Sequence, residues 1–375
     1  MKDVRASAKK TVYDVCGIKA GERVLIITNR VEKDGVADTE VISQAIYDEC
    51  LEVGADPVII TQPVKSSLDA ADKAVIAAIA LEPDVCMSIS AEKLGKDAAA
   101  ITNPYVGEDG DTYDHVFDYM LRSRKNMRAV WTPGITLDMF NSTVDIDYPL
   151  LKKRCSTLCE LYKNVERVHI TAPAGTDVVI PVKGRNPMSD DGDFTKGGSG
   201  GNIPAGEVFI SPVVGDGVST GCQGKIVFDG SIAVKYGTVK IETPIETFVE
   251  NGFITDIRGG KEADMLLDTI TTAERSAKEM GEDGRLPKDV AGSYRRNARN
   301  IGELGIGLNP AASIKGNMLE DEKAFNTCHI AIGENYDNDA SALIHLDGVI
   351  KNPTIVFMYE DGSEKTVLLD GVLQF

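Results

Sequence analysis

Four histidines occur in 375 residues, and two of them stand close to acidic residues in apolar surroundings. His345 lies in the run Leu343, Ile344, His345, Leu346, Asp347, which continues into Val349 and Ile350 and has the composition of a strand. Residues two apart in a strand share a face, so His345 and Asp347 project together and Leu346 points the other way. A His and an Asp side by side make half of a metal site; they also make an ordinary hydrogen-bonded pair. His329 enters a second β-friendly stretch, CHIAIGENYDN, with Tyr336 seven residues later. Glu207 begins a strand in NIPAGEVF, after a glycine-rich loop, and Glu303 lies among glycines and apolar residues in NIGELGIGLNP.

Singly, each residue has a structural explanation. Glu207 reads as a surface carboxylate at a strand edge. Glu303 reads as a cap or a partner for Arg295, Arg296 or Arg299. His329 reads as a satisfied core imidazole, and Tyr336 as packing. Together they are harder to set aside, because three carboxylates and two imidazoles occupy contexts where an unpaired charge is costly. Gathering them would cost several kcal/mol in mutual repulsion, and a divalent cation removes that cost. Two His with three Glu/Asp match the ligand preferences of Zn, Co, Mn or Fe(II). Five ligands exceed what one catalytic ion with an open position needs. They suit two ions that share carboxylates at about 3.5–4 Å separation.

The elements that position these residues follow from the periodicities. Residues 1–165 alternate between short apolar runs (22–28, 56–62, 84–90, 127–133) and helical spacings (38–55, 72–83), which predicts an α/β domain with a parallel sheet. No GxGxxG follows the first strand, so a dinucleotide-binding version is not supported. Residues 147–165 read as a helix linking the halves. From 166 to 375 the texture becomes short strands with Gly and Asn turns, a β-rich α+β domain interrupted by one helix at 261–281. The glycine-rich segment 183–207 reads as a solvated loop. Its Asp190, Asp191 and Asp193 lack the closing Glu of an EF-hand.

A net charge of −18 disfavours a nucleic-acid partner. No run of 18 uncharged apolar residues occurs, so no membrane span is expected, nor does the start carry the apolar core of a signal peptide. Seven scattered cysteines without a CxxC pair suit a reduced, cytoplasmic compartment.

The ordered set NIPAGEVF, GELGIGLNP, HIAIGENY and HLD resembles the thermophilic metallo-aminopeptidase family, the aminopeptidase S and T type. The resemblance is strongest over about residues 202–347. It implies metal ligands at Glu207, Glu303, His329, His345 and Asp347, two divalent ions (Zn, Co or Mn), a catalytic Tyr336, a peptide substrate and a homodimer. The function it implies is removal of N-terminal residues from peptides. In that reading Glu303 passes the water's proton to the leaving amine, and Tyr336 hydrogen-bonds the developing oxyanion. Two features depart from the family: PAGE replaces Pro-Gly-Gly-Glu, and only 16 residues separate His329 from His345. The same fold is also similar to the iron-dependent 2,5-dihydroxypyridine 5,6-dioxygenases. That alternative implies a single Fe(II) on His329, His345 and Asp347, a small aromatic substrate, and Glu207 and Glu303 as proton-relay groups.

Overall fold

The stretch Arg23–Asn29 has an aliphatic centre, Val24–Ile27, and is buried at every position after the first, which makes it an interior strand rather than an edge. In the computed structural model, which describes residues 4–30, 37–66, 69–108 and 110–375, it is flanked in parallel by Asp56–Gln62 and Val85–Ile89. Arg128–Trp131 pairs in parallel beyond Val85–Ile89. The helix Asp38–Glu52 buries Thr39, Ile42, Ser43, Ile46, Glu49 and Cys50, a stripe at three- and four-residue spacing. Gly54, at φ +83°, lies just past its end, where a left-handed residue closes a helix without a Cβ penalty. Lys73–Ala80 is the next helix, between the second and third strands of this α/β unit.

The segment 183–207 is not simply a solvated loop. Gly200–Asn202 forms a fifth strand, parallel to Arg128–Trp131. A Cβ on Gly200 would stand 2.7 Å from the carbonyl oxygen of Ala129, so glycine is what lets the backbones approach. The same glycines that mark a loop in the sequence make this pairing sterically possible.

Two units emerge from the contacts: Met1–Lys152 with Asp190–Ala205, and Lys153–Ser189 with Gly206–Phe375. The change of sequence texture near 165 follows the helix Tyr148–Leu161, and the contacts divide the chain inside that helix.

The second unit is built on two largely antiparallel sheets, of seven and eight strands. In the seven-stranded sheet the order is Gly237–Lys240, Ser231–Val234, His345–Lys351, Thr327–Gly333, Ile301–Gly307, Glu207–Ile210 and Met188–Asp190. The expected long helix runs Lys261–Glu282. A second helix that the sequence pattern did not single out, Lys288–Asn297, follows it. Only Ala291 and Asn297 are buried in it, so it carries almost no apolar periodicity to read. Among the described residues no helix is long and apolar enough to cross a membrane.

Candidate metal centre

Four adjacent antiparallel strands carry the candidate residues, and the register decides which of them meet. Glu207 is opposite Gly307, Gly305 is opposite His329, Glu303 is opposite Ala331, Ala331 is opposite Asp347, and Gly333 is opposite His345. Directly opposed residues share a face, as do residues two apart. Glu207, Glu303, His329, His345 and Asp347 therefore converge on one face. The alternate positions, including Leu304, Ile306, Ile330 and Ile332, are fully buried in the core. On the site face the intervening positions are Gly305, Gly307, Ala331 and Gly333. Small residues leave the room that the long side chains fill. A Cβ on Gly305 would lie 2.0 Å from His329 Nε2, so the imidazole lies directly across that glycine.

Glu303 sits at the middle of the cluster. Its Oε1 is 3.1 Å from His329 Nε2, and its Oε2 is 3.3 Å from His345 Nε2. Glu207 Oε2 stands 3.3 Å from His329 Nε2, and Asp347 Oδ1 stands 3.3 Å from His345 Nε2. Potential donor atoms thus form two groups, Glu207–Glu303–His329 and Glu303–His345–Asp347, each with all donors within 4.8 Å of one another. The two groups share Glu303, and the two imidazoles fall in different groups.

The second ring nitrogens are treated differently. His345 Nδ1 is 2.8 Å from the carbonyl oxygen of Glu334. A carbonyl only accepts, so Nδ1 carries a proton, and Nε2, which faces Glu303 and Asp347, is the nitrogen that a metal would take in place of its own proton. His329 Nδ1 is buried without a hydrogen-bond partner, as is Glu207 Oε2.

Two residues that the sequence reading passed over belong to this site. Lys323 is fully buried, with Nζ 2.7 Å from Glu207 Oε1 and a second ion pair to Glu322. The run Glu320, Asp321, Glu322, Lys323 looks like a solvated charge cluster. In the fold, Glu320 accepts hydrogen bonds from Ser313, and Asp321 accepts them from Ser231, Lys315 and Gly316, while Glu322 and Lys323 serve the cluster. One signal for it was present: the four charges run straight into the apolar His329 strand.

Electrostatics show a cluster that draws in positive charge. Burial, helped by the Glu322 and Glu303 charges, pushes the Glu207 carboxyl up to about 8, against the pull of Lys323 and His329. Burial also opposes ionisation of Glu303 and Asp347, but the imidazoles outweigh it, holding Glu303 below its ordinary range and Asp347 down to about 2. Against burial, the Glu303 hydrogen bond and the Glu207 charge raise His329 to about 9, and Asp347 and Glu303 raise His345 well above its usual value. Without another cation, protons on the two rings do the neutralising. The donor set, the orphaned Glu207 Oε2 and the placing of His345 Nε2 between two carboxylates fit a divalent metal that would replace those protons.

Tyr336 borders the cluster. Its ring packs edge-on against His345, with centroids 5.2 Å apart, and at the same distance against Phe209. Its N–H donates to Ser211 Oγ at 3.3 Å. Half of the residue is exposed, but burial of the phenol and the facing Glu303 and Asp347 carboxylates push its pKa up, so it stays a hydrogen-bond donor.

A family model described as NicX, 2,5-dihydroxypyridine 5,6-dioxygenase, matches residues 146–332. The structure of a 2,5-dihydroxypyridine dioxygenase from Pseudomonas putida KT2440 superposes with a TM-score of 0.67 at 17% identity, covering 98% of this chain and 96% of that one. Wild-type AmpT from Thermus thermophilus superposes with a TM-score of 0.65 at 15% identity, covering 99% of each chain. No curated protein sequence matches. The chain resembles both families; at these identities the two structures establish the fold, and the family match adds weight to the dioxygenase side.

Proposed function

We propose that this chain, which shares its fold with both 2,5-dihydroxypyridine dioxygenase and AmpT, is a metal-dependent hydrolase that removes N-terminal residues from peptides at a dinuclear centre. The observation that carries this reading is the division of Glu303: one carboxylate oxygen faces His329 and the other faces His345. A carboxylate presented in this way suits a bridge between two ions. A single-ion triad would instead need His329, His345 and Asp347 around one point, and the two imidazoles belong to separate donor groups.

Charge supports the same reading. When ionised, Glu207, Glu303, Glu322 and Asp347 carry four negative charges against the single positive charge of Lys323. With neutral imidazoles, one divalent ion leaves the cluster net negative by one, and two leave it net positive by one. The second state is the better host for an oxygen that gains negative charge.

Glu207, Glu303 and His329 would hold one ion, and Glu303, His345 and Asp347 the other. Bound there, the ions supply Lewis-acid polarisation of a scissile carbonyl and acidify a water near neutral pH. The chain's own groups supply the rest. With each oxygen turned to an imidazole, Glu303 is better placed as the bridge than as the carrier of a proton to the leaving amine, and we assign it the bridge. Tyr336 donates its phenol hydrogen to the developing oxyanion, a contribution of about 10²–10³ in rate.

The family match over residues 146–332 favours a second reading, in which His329, His345 and Asp347 hold one Fe(II) for ring cleavage of a dihydroxypyridine. One pair of assays separates them. The hydrolase reading expects leucine release from leucine p-nitroanilide after Zn²⁺ or Co²⁺ loading, without oxygen uptake from 2,5-dihydroxypyridine after Fe(II) loading. Oxygen uptake with ring cleavage, and no peptide hydrolysis, overturns it.

A further inference from the structure

The two donor groups are not equivalent, and the difference lies in a residue that is neither His nor a carboxylate. Building on the dinuclear reading, we propose that Lys323 is a positioning residue that makes the two metal positions unequal, so that Glu303–His345–Asp347 fills first and Glu207–Glu303–His329 fills second and more weakly.

Three observations support this. First, Lys323 Nζ already occupies Glu207 Oε1 at 2.7 Å, in full burial. Its fixed positive charge holds Glu207 with Oε2 toward His329, and it also repels any ion arriving there. Like charges interact strongly where water is excluded. Second, His345 is pre-oriented by its Nδ1 hydrogen bond to the Glu334 carbonyl, whereas His329 Nδ1 has no hydrogen-bond partner. Such outer hydrogen bonds are typically worth 10–100-fold in metal affinity. Third, His345 is 23% exposed and His329 only 1%, so an ion reaches the first group with less rearrangement. Glu322, paired with Lys323, keeps the ammonium in place without entering either donor group.

Zn²⁺ titration of the metal-stripped full chain by calorimetry, with bound zinc counted by mass spectrometry, tests the proposal. Wild type is expected to bind in two steps whose affinities differ by about tenfold or more. Lys323→Met should tighten the weaker step and bring the two together, and Lys323→Arg should keep them apart. Asp347→Asn should remove the tight step, and His329→Gln the weak one. Two equal steps in wild type, or an unchanged separation in Lys323→Met, overturn the proposal and leave the dinuclear hydrolase standing. A single step in both wild type and Lys323→Met overturns both. If Lys323→Met does not fold, the ligand variants Asp347→Asn and His329→Gln decide: loss of the weak step in Asp347→Asn, with the tight step kept, overturns the assignment.

Discussion

Glu303 and Gln differ by one oxygen for one nitrogen, yet at this position the exchange removes a charge that two imidazoles share. Glu303→Gln should keep the fold, because shape and burial are preserved. It should lose the bridge, and peptide hydrolysis should fall by at least about a hundredfold. Circular dichroism with the p-nitroanilide assay checks both halves; retained turnover removes Glu303 from the mechanism. Tyr336 makes a separate claim. Its hydroxyl faces carboxylates that keep it protonated, while its ring rests on His345 and Phe209. Tyr336→Phe keeps that packing and deletes one donor, so kcat should drop by about 10²–10³ with KM nearly constant, the signature of an interaction made in the transition state. A rise in KM alone would make Tyr336 a binding residue instead.

At the scale of the elements, the site depends on glycines as much as on ligands. Gly305 lies beneath the His329 ring, and a methyl group there would overlap Nε2. Gly305→Ala should destabilise the chain by about 1–3 kcal/mol, as overpacking does, and should displace the imidazole. A lower melting temperature together with loss of one bound zinc per chain is the expected result. Unchanged zinc binding would mean that the ring has another place to sit. Gly292 in the helix Lys288–Asn297 is the counter-example: it is exposed, and a Cβ there meets nothing within 4 Å. Gly292→Ala should stabilise the chain by about 0.5–1 kcal/mol, through helix propensity. Thermal denaturation of the two variants side by side separates a glycine needed for packing from one that is merely tolerated.

For the whole molecule, burial governs reactivity. Cys16, Cys50 and Cys222 lie in the core, and desolvation pushes each thiol up to about 12. Since the thiolate is the reactive form, these three should resist iodoacetamide at pH 8 in the native protein and react fully in denaturant. Peptide mapping of labelled sites measures it. Fast native labelling at Cys16 would mean that the α/β unit opens readily in solution.

Much of this molecule was legible as a string. Strand–helix alternation in the first half is written in short apolar runs and in local periods of 3.6. Asp56–Gln62 falls on the residues its pattern marked, and His345 and Asp347 share a face because any strand alternates. The five candidate ligands stood out because each was a costly residue in a cheap-to-bury neighbourhood. Tertiary structure alone decided how they group. Cross-strand register gave one Glu303 oxygen to each imidazole, and the Gly305–His329 overlap joins residues that are far apart along the chain. It also turned Glu322 and Lys323, which the sequence reading passed over, into groups of the site. The reason is physical: alternation is a property of neighbours along the backbone, while burial and pairing of a charge depend on which other strands arrive beside it.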